Sequence, residues 1–255
     1  MTVREIYDYL NSIAPFNTAV HDNVGLLTGG MDCEVKRICT CLDITNPVID
    51  EAVKEGADLI VSHHPVIFDP LRSIRPESPV YRLIHNDISA IAMHTNFDMA
   101  EGGVGDALLE LLGFEAVDGD LEPVHPNGLG FGSVCELDFA FTPKALAEHC
   151  KKALDLDGVR YTPIDREIRR VAVCSGAGGS NIWHAIDRGC DALITGDIKH
   201  NIWVDAINQN FVLIDAGHFG TEKCASHRLA ALLSRRFAEI TVFTAEHDTE
   251  PCAYI

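Results

Sequence analysis

The feature that most constrains this chain is an internal near-repeat. Residues 51–64 read EAVKEGADLIVSHH, and residues 184–197 read HAIDRGCDALITGD. Each segment combines a helix end, a glycine turn, a short apolar strand and a polar tip. Apolar strand-like segments precede both, and both are followed by strands that end on histidine, His94 and His218. The pattern predicts an α/β protein built from two pseudo-repeated lobes.

The repeat also predicts the domain organisation. We expect a first α/β lobe over residues 1–123 and a second over residues 124–255, which together form one compact protomer. The similarity lapses between residues 124 and 167, where a glycine-containing stretch indicates a connecting region. The total of 255 residues is ample for a sizeable core.

Candidate metal ligands cluster where the predicted strands end. Asp98 lies four residues after His94, and Glu222 lies four residues after His218. Parallel strands present their carboxyl ends on one edge of a sheet, so lobes packed face to face would bring these loops together. The convergent set would be His63, His64, Asp98, His218 and Glu222. The sequence therefore predicts a metal site between the lobes, at the carboxyl ends of the strands.

The chemistry of this set suits two divalent ions. Imidazole and carboxylate ligands are typical of zinc, manganese, iron and nickel, and the residues do not distinguish among these metals. Five protein ligands exceed what one tetrahedral ion takes, whereas a bridging carboxylate allows a dinuclear site. The alternative for each residue alone is ordinary, since single histidines are often structural and most carboxylates are solvated. Their joint placement favours the metal site.

Three further polar residues fall beside the predicted site. The segment that contains Asp197 and His200 corresponds by the repeat to the one that contains His63 and His64. Asp197 and His200 are therefore candidates to orient ligands or to face a substrate. His94 matches His218 in the repeat and is the candidate for proton transfer, with a structural role as the alternative.

The glycine-rich turn at residues 175–180, SGAGGS, also follows a strand. It allows two interpretations, a plain strand-to-helix turn or a weak anion site formed by backbone N–H groups.

In combination, six motifs make the chain resemble the Nif-three-like family, whose bacterial members are often labelled GTP cyclohydrolase I type 2 homologues. The resemblance covers nearly the whole length and rests on residues 22–26 (DNVGL), 62–65 (SHHP), 94–98 (HTNFD), 102–103 (GG), 194–197 (ITGD) and 217–222 (GHFGTE). It implies a two-lobed α/β protomer whose dinuclear centre matches the five ligands above, with Glu222 bridging. It also implies a toroidal homohexamer. Longer members carry an inserted domain, which we expect this chain to lack.

The predicted function is metal-dependent hydrolysis of a nucleotide or another small phosphorylated or heterocyclic substrate. Two ions would lower the pKa of a bound water and stabilise developing charge. The family label implies opening of the guanine ring of GTP, while phosphoesters and other nucleotides stay open. The alternative is a non-catalytic metal-binding or regulatory oligomer that acts through protein partners.

Composition narrows the partners and the compartment. The formal net charge of −18, without a basic stripe, argues against nucleic acid as the main ligand. No apolar run is long enough for a membrane span, and the first residues lack a signal-peptide core, so we expect a cytoplasmic protein. The nine cysteines include no C-x-x-C pair, which favours reduced thiols.

Overall fold

The computed structural model describes residues 1–126, 128–253 and 255. The helices are α1 Val3–Ile13, α2 Asn46–Glu55, α3 Pro79–His85, α4 Thr95–Asp98, α5 Val104–Leu112, α6 Pro143–Ala153, α7 Ile182–Asp187, α8 His200–Asn208, α9 His218–Glu222 and α10 Cys224–Arg236. The strands are β1 Gly25–Thr28, β2 Arg37–Cys41, β3 Leu59–Ser62, β4 Ser89–Ala92, β5 Ala116–Asp118, β6 Glu122–Pro123, β7 Gly130–Phe131, β8 Ser133–Phe141, β9 Arg160–Tyr161, β10 Ile168–Val173, β11 Ala192–Thr195, β12 Val212–Asp215 and β13 Thr241–Thr244. The predicted mixed α/β class is confirmed.

The chain divides into two compact units. The first comprises Met1–Gly103 and Lys223–Thr249, and the second comprises Val104–Glu222 and Glu250–Ile255. The first unit is therefore built from two separated stretches of sequence. Among the described residues, no helix combines the length and apolar character that a membrane crossing requires.

The first unit contains a five-stranded sheet in the order β1-β4-β3-β2-β13. Strands β13, β2, β3 and β4 are parallel, and β1 runs antiparallel to β4. Every residue of β3 and β4 is buried, as expected for parallel strands covered on both faces. In the register of the sheet, Cys41 lies opposite Ser62, which lies opposite Ala92. The segments after β2, β3 and β4 therefore leave the sheet at one edge.

Helix α2 illustrates how the sequence connects these strands. The Thr45 hydroxyl accepts a hydrogen bond from the backbone N–H of Val48, which caps the helix, and Pro47 lies in the first turn. Gly56 ends the helix with a φ of 67°, a left-handed conformation that glycine adopts without strain. The chain then enters β3 directly.

The second unit contains a six-stranded sheet in the order β5-β8-β10-β11-β12-β9. Strands β10, β11 and β12 are parallel, while β8 and β9 pair antiparallel with their neighbours. Each unit thus has three consecutive parallel strands in chain order, which is consistent with the repeat in the sequence. The segments that follow β10, β11 and β12 also leave the sheet at one edge.

Seven of the nine cysteines are buried. Burial raises the pKa of the Cys39, Cys135 and Cys150 thiols to about 12 and that of Cys190 to about 11. These thiols are therefore protonated at neutral pH and pack as small apolar side chains.

Candidate metal centre

His63 and His64 lie directly after the buried strand β3. The His63 side chain is fully buried, and its Nδ1 lies 2.8 Å from the carbonyl oxygen of Met93. This carbonyl can only accept, so Nδ1 carries the proton and Nε2 is the nitrogen suited to a metal. His63 Nε2 lies 3.6 Å from Asp98 Oδ1. The imidazole and the carboxylate predicted as ligands are therefore neighbours in the first unit.

His64 is oriented by a carboxylate. Its Nδ1 lies 2.8 Å from Asp43 Oδ1, and Asp43 follows the end of β2. The Asp248 carboxylate accepts hydrogen bonds from the backbone N–H groups of Leu42 and Asp43, which fixes the loop that carries Asp43. Burial raises the pKa of Asp248. The position of the His64 ring thus depends on a residue almost two hundred positions away in the sequence.

His94 is held in the same way by Asp22. His94 Nδ1 lies 2.7 Å from Asp22 Oδ2, and the Asp22 side chain is only 1% exposed. The carboxylate also accepts hydrogen bonds from the backbone N–H and the hydroxyl of Thr95, at 3.2 and 2.8 Å. Burial acts to raise the pKa of Asp22, but the close His94 ring and the hydrogen bonds from Thr95 outweigh it and lower the pKa to about 2.

The three histidines of the first unit form one cluster. The ring centroids of His63, His64 and His94 are 5.1, 5.1 and 5.3 Å apart. One potential ligand nitrogen from each ring lies within 4.8 Å of the others. Because Nδ1 of every ring is turned toward an oxygen acceptor, Nε2 is the nitrogen each ring presents for a metal ion or for a proton.

In the second unit, α9 places His218 and Glu222 one helical turn apart. His218 Nε2 lies 2.9 Å from Glu222 Oε2, and His218 Nδ1 lies 2.8 Å from Asp197 Oδ2. Asp197 has a φ of 50°, a left-handed conformation that is strained for a residue with a side chain. Such strain is typical of functional sites, and here it accompanies the contact that orients His218.

In the glycine-rich turn after β10, two backbone N–H groups donate hydrogen bonds to threonine hydroxyls of the same unit. The N–H of Gly176 donates to the Thr221 hydroxyl at 2.9 Å, and the N–H of Gly178 donates to the Thr195 hydroxyl at the same distance. Both of these N–H groups are therefore engaged inside the unit. Of the two interpretations of the sequence, this arrangement favours the strand-to-helix turn over the anion site.

The predicted site residues are divided between the two units. His63, His64, His94 and Asp98 are close neighbours in the first unit, and Asp197, His218 and Glu222 are in the second. His200 is exposed at the start of α8.

Sequence reasoning missed the roles of Asp22 and Asp43. The signal for Asp43 was available, because it follows β2 as His63 follows β3. Asp22 stood in a recognised motif, but nothing local in the sequence indicated that it would bind the ring of His94.

The comparisons with known proteins identify the family. A family model described as Duf34/NIF3 (NGG1p interacting factor 3) matches residues 1–251. The chain is 30% identical over 264 residues to a Clostridium acetobutylicum protein named GTP cyclohydrolase 1 type 2 homolog, with 98% of each chain covered. It is 34% identical over 229 residues to a protein of the same name from Clostridium perfringens, with 87% of each covered. A solved structure of a Staphylococcus aureus hypothetical protein matches with a TM-score of 0.92 at 30% identity, covering 100% of this chain and 99% of that one. The chain therefore belongs to the Duf34/NIF3 family.

Proposed function

We propose that the protein is a metal-dependent hydrolase that binds two divalent ions through the five ligands predicted from the sequence, with Glu222 bridging. One observation carries this proposal. Each of the four histidines nearest the predicted site has its Nδ1 beside an oxygen, from Met93, Asp43, Asp22 or Asp197. This pairing is typical of metal-binding histidines, because it fixes the tautomer and directs Nε2 toward the ion.

The donor set fits first-row divalent metals. His63, His64 and His218 supply imidazole nitrogens, and Asp98 and Glu222 supply carboxylate oxygens, a combination that zinc, manganese, iron and nickel all accept. When bound, a pair of such ions supplies an activated water near neutral pH and stabilises negative charge on the attacked centre.

The remaining chemistry falls to residues of the chain. The Asp22 carboxylate lies 2.7 Å from Nδ1 of His94 and stays ionised, which favours the tautomer with its proton on Nδ1 and an Nε2 that can take up a proton. Phe68 covers the same ring, with centroids 6.3 Å apart and the planes nearly perpendicular. We assign proton transfer to His94 on these contacts.

The relatives' name supplies the first substrate class to test. We infer that the substrate is a nucleotide or another small phosphorylated or heterocyclic molecule, with GTP as the specific case because the relatives are named GTP cyclohydrolase 1 type 2 homolog. The chain's own charge agrees with a small ligand, because a net charge of −18 disfavours a nucleic-acid backbone.

One observation favours a second candidate, a non-catalytic metal-binding or regulatory protein. The His63 side chain is fully buried and Glu222 is 4% exposed, and closed coordination is typical of structural metal sites. The two candidates differ in whether the bound ions keep a water. We also propose that the protein is cytoplasmic and assembles as a homohexamer; light scattering of the purified protein tests the hexamer.

The experiment is metal analysis of protein purified without a metal-binding tag. We expect about two ions per chain in the parent, and near none in Glu222→Ala, because that variant removes the bridging ligand. Asp98→Ala should weaken the binding of one ion more than the binding of the other. Glu239→Ala, at an exposed position of the first unit, is the control and should keep both ions.

Undiminished metal in both ligand variants would refute the site. If two ions are present, hydrolysis of GTP, other nucleotides and phosphoesters is assayed with His94→Ala as the catalytic control. Bound metal without turnover of any of these substrates would favour the regulatory candidate.

A further inference from the structure

Gly176 lies directly against the side chain of Glu222, a predicted metal ligand in the second unit. It follows β10 and has a φ of +60°. A Cβ atom at this position would lie 2.1 Å from Glu222 Oε1, 3.0 Å from Glu222 Cδ and 3.4 Å from His218 Nε2. Real Cβ atoms essentially never approach another heavy atom to 2.1 Å. Any side chain at residue 176 would therefore displace the Glu222 carboxylate or the loop itself.

Hydrogen bonds hold the loop after β10 in place, so its backbone cannot easily move away from Glu222. The Gly176 N–H donates to the Thr221 hydroxyl at 2.9 Å, and the Gly176 carbonyl accepts from the Gly196 N–H at 2.8 Å. The Thr195 hydroxyl donates to the same carbonyl at 3.2 Å. These bonds connect the loop after β10 to α9 and to the end of β11. The backbone at Gly176 is therefore a rigid steric boundary for the Glu222 side chain.

This steric boundary limits the positions that the Glu222 carboxylate can occupy. The side chain is 4% exposed, and its Oε2 is 2.9 Å from His218 Nε2 while its Oε1 faces Gly176. We propose that Gly176 is a positioning residue, which acts by holding the Glu222 carboxylate beside the His218 ring in the arrangement that binds metal. The inference rests on the proposed function, since it assumes that Glu222 and His218 are ligands.

The test separates steric displacement from backbone strain. Gly189 has a φ of +69°, and a Cβ there would meet no atom within 4 Å. Gly189→Ala therefore imposes the same left-handed strain as Gly176→Ala without the overlap. We expect Gly176→Ala to weaken metal binding about 10- to 100-fold, the range found when residues that orient ligands are changed. Gly189→Ala should bind metal as the parent does, although its melting temperature falls.

The readout is titration with cobalt(II), whose visible absorption reports the ligands and their geometry. We expect Gly176→Ala to give an altered spectrum at saturating cobalt and Gly189→Ala to give the parent spectrum. A parent-like spectrum and affinity in Gly176→Ala would overturn the inference while leaving the proposed function intact. A parent that binds no metal would instead refute the proposed function, and the inference with it.

A second pair of variants tests the positioning role of the loop if Gly176→Ala does not fold. Thr221→Val keeps the shape of the side chain but removes the acceptor for the Gly176 N–H, whereas Thr221→Ser keeps the hydroxyl. We expect weaker cobalt binding in Thr221→Val and parental binding in Thr221→Ser. Equal, parental binding in both variants would contradict the positioning role of the loop.

Discussion

Replacing Asp22 with Asn tests the buried pair that holds His94. The Asp22 carboxylate has a pKa of about 2, against an ordinary value of 3.8. One pKa unit corresponds to roughly 1.4 kcal/mol, so the ionised group contributes about 2 kcal/mol to the free energy of unfolding at neutral pH. Little solvent screening applies, because the side chain is 1% exposed. We therefore expect Asp22→Asn to lower the free energy of unfolding by about 2 kcal/mol at pH 7.

The sign of the pH dependence follows from the lowered pKa. The contribution of Asp22 is fully present above the unfolded-state pKa of 3.8 and is lost as the pH falls toward the folded-state value of about 2. At pH 3 about half of the contribution remains. The difference between parent and Asp22→Asn should therefore shrink to about 1 kcal/mol at pH 3.

The assay is urea unfolding from pH 7 to pH 3 in the presence of a chelator, so that bound metal does not contribute to stability. Asp69→Asn, at an exposed position of the same unit, is the matched control and should change stability little at any pH. A difference that stays the same from pH 6 to pH 3 would refute the argument, because the effect of Asp22 would not come from its ionisation.

Two further predictions concern the cysteines and a second glycine. Cys33 and Cys252 are exposed, and the pKa of the buried Cys39 is about 12. A thiol reagent at pH 8 should modify Cys33 first, Cys252 more slowly because its hydrogen bond to Glu250 raises its pKa, and the seven buried thiols only after denaturation. Rapid modification of all nine in the native protein would contradict the burial. A Cβ at Gly29, where φ is +88°, would lie 2.1 Å from Ser89 Oγ, so Gly29→Ala should destabilise the protein by about 3 kcal/mol by calorimetry, from overpacking and strain together. Gly56→Ala has a similar φ and open space, and an equal loss of stability in both variants would argue against the overlap.

The sequence indicated the parts of the fold that have a local signature. The apolar runs that became β3 and β11, with glycine turns before them and polar tips after them, were recognisable because buried parallel strands require such runs. Strand β13 was not predicted. Its residues are mostly half-buried, and its partner β2 lies about two hundred positions earlier, so no local pattern marks the pairing.

The same distinction applies to the candidate site. His63, His64 and Glu222 could be proposed because they belong to short motifs at the ends of elements. The partners that orient the rings could not, since the contact between Asp22 and His94 joins residues 72 positions apart and depends on the folded path of the chain. The close approach of Gly176 to Glu222 is likewise invisible in the sequence, where a glycine-rich turn is equally typical of an anion site.

The edge position of β13 also affects the order in which the protein can be completed during synthesis. Strand β13 is translated after the whole of residues 104–222, so every strand of the second unit leaves the ribosome before the first sheet receives its last member. The sheet of the unit that is translated first is therefore completed last. Until then, β2 is an unpaired sheet edge that can pair with a strand of another nascent chain. Once residues 241–244 have left the ribosome, β13 pairs with β2 and covers this edge.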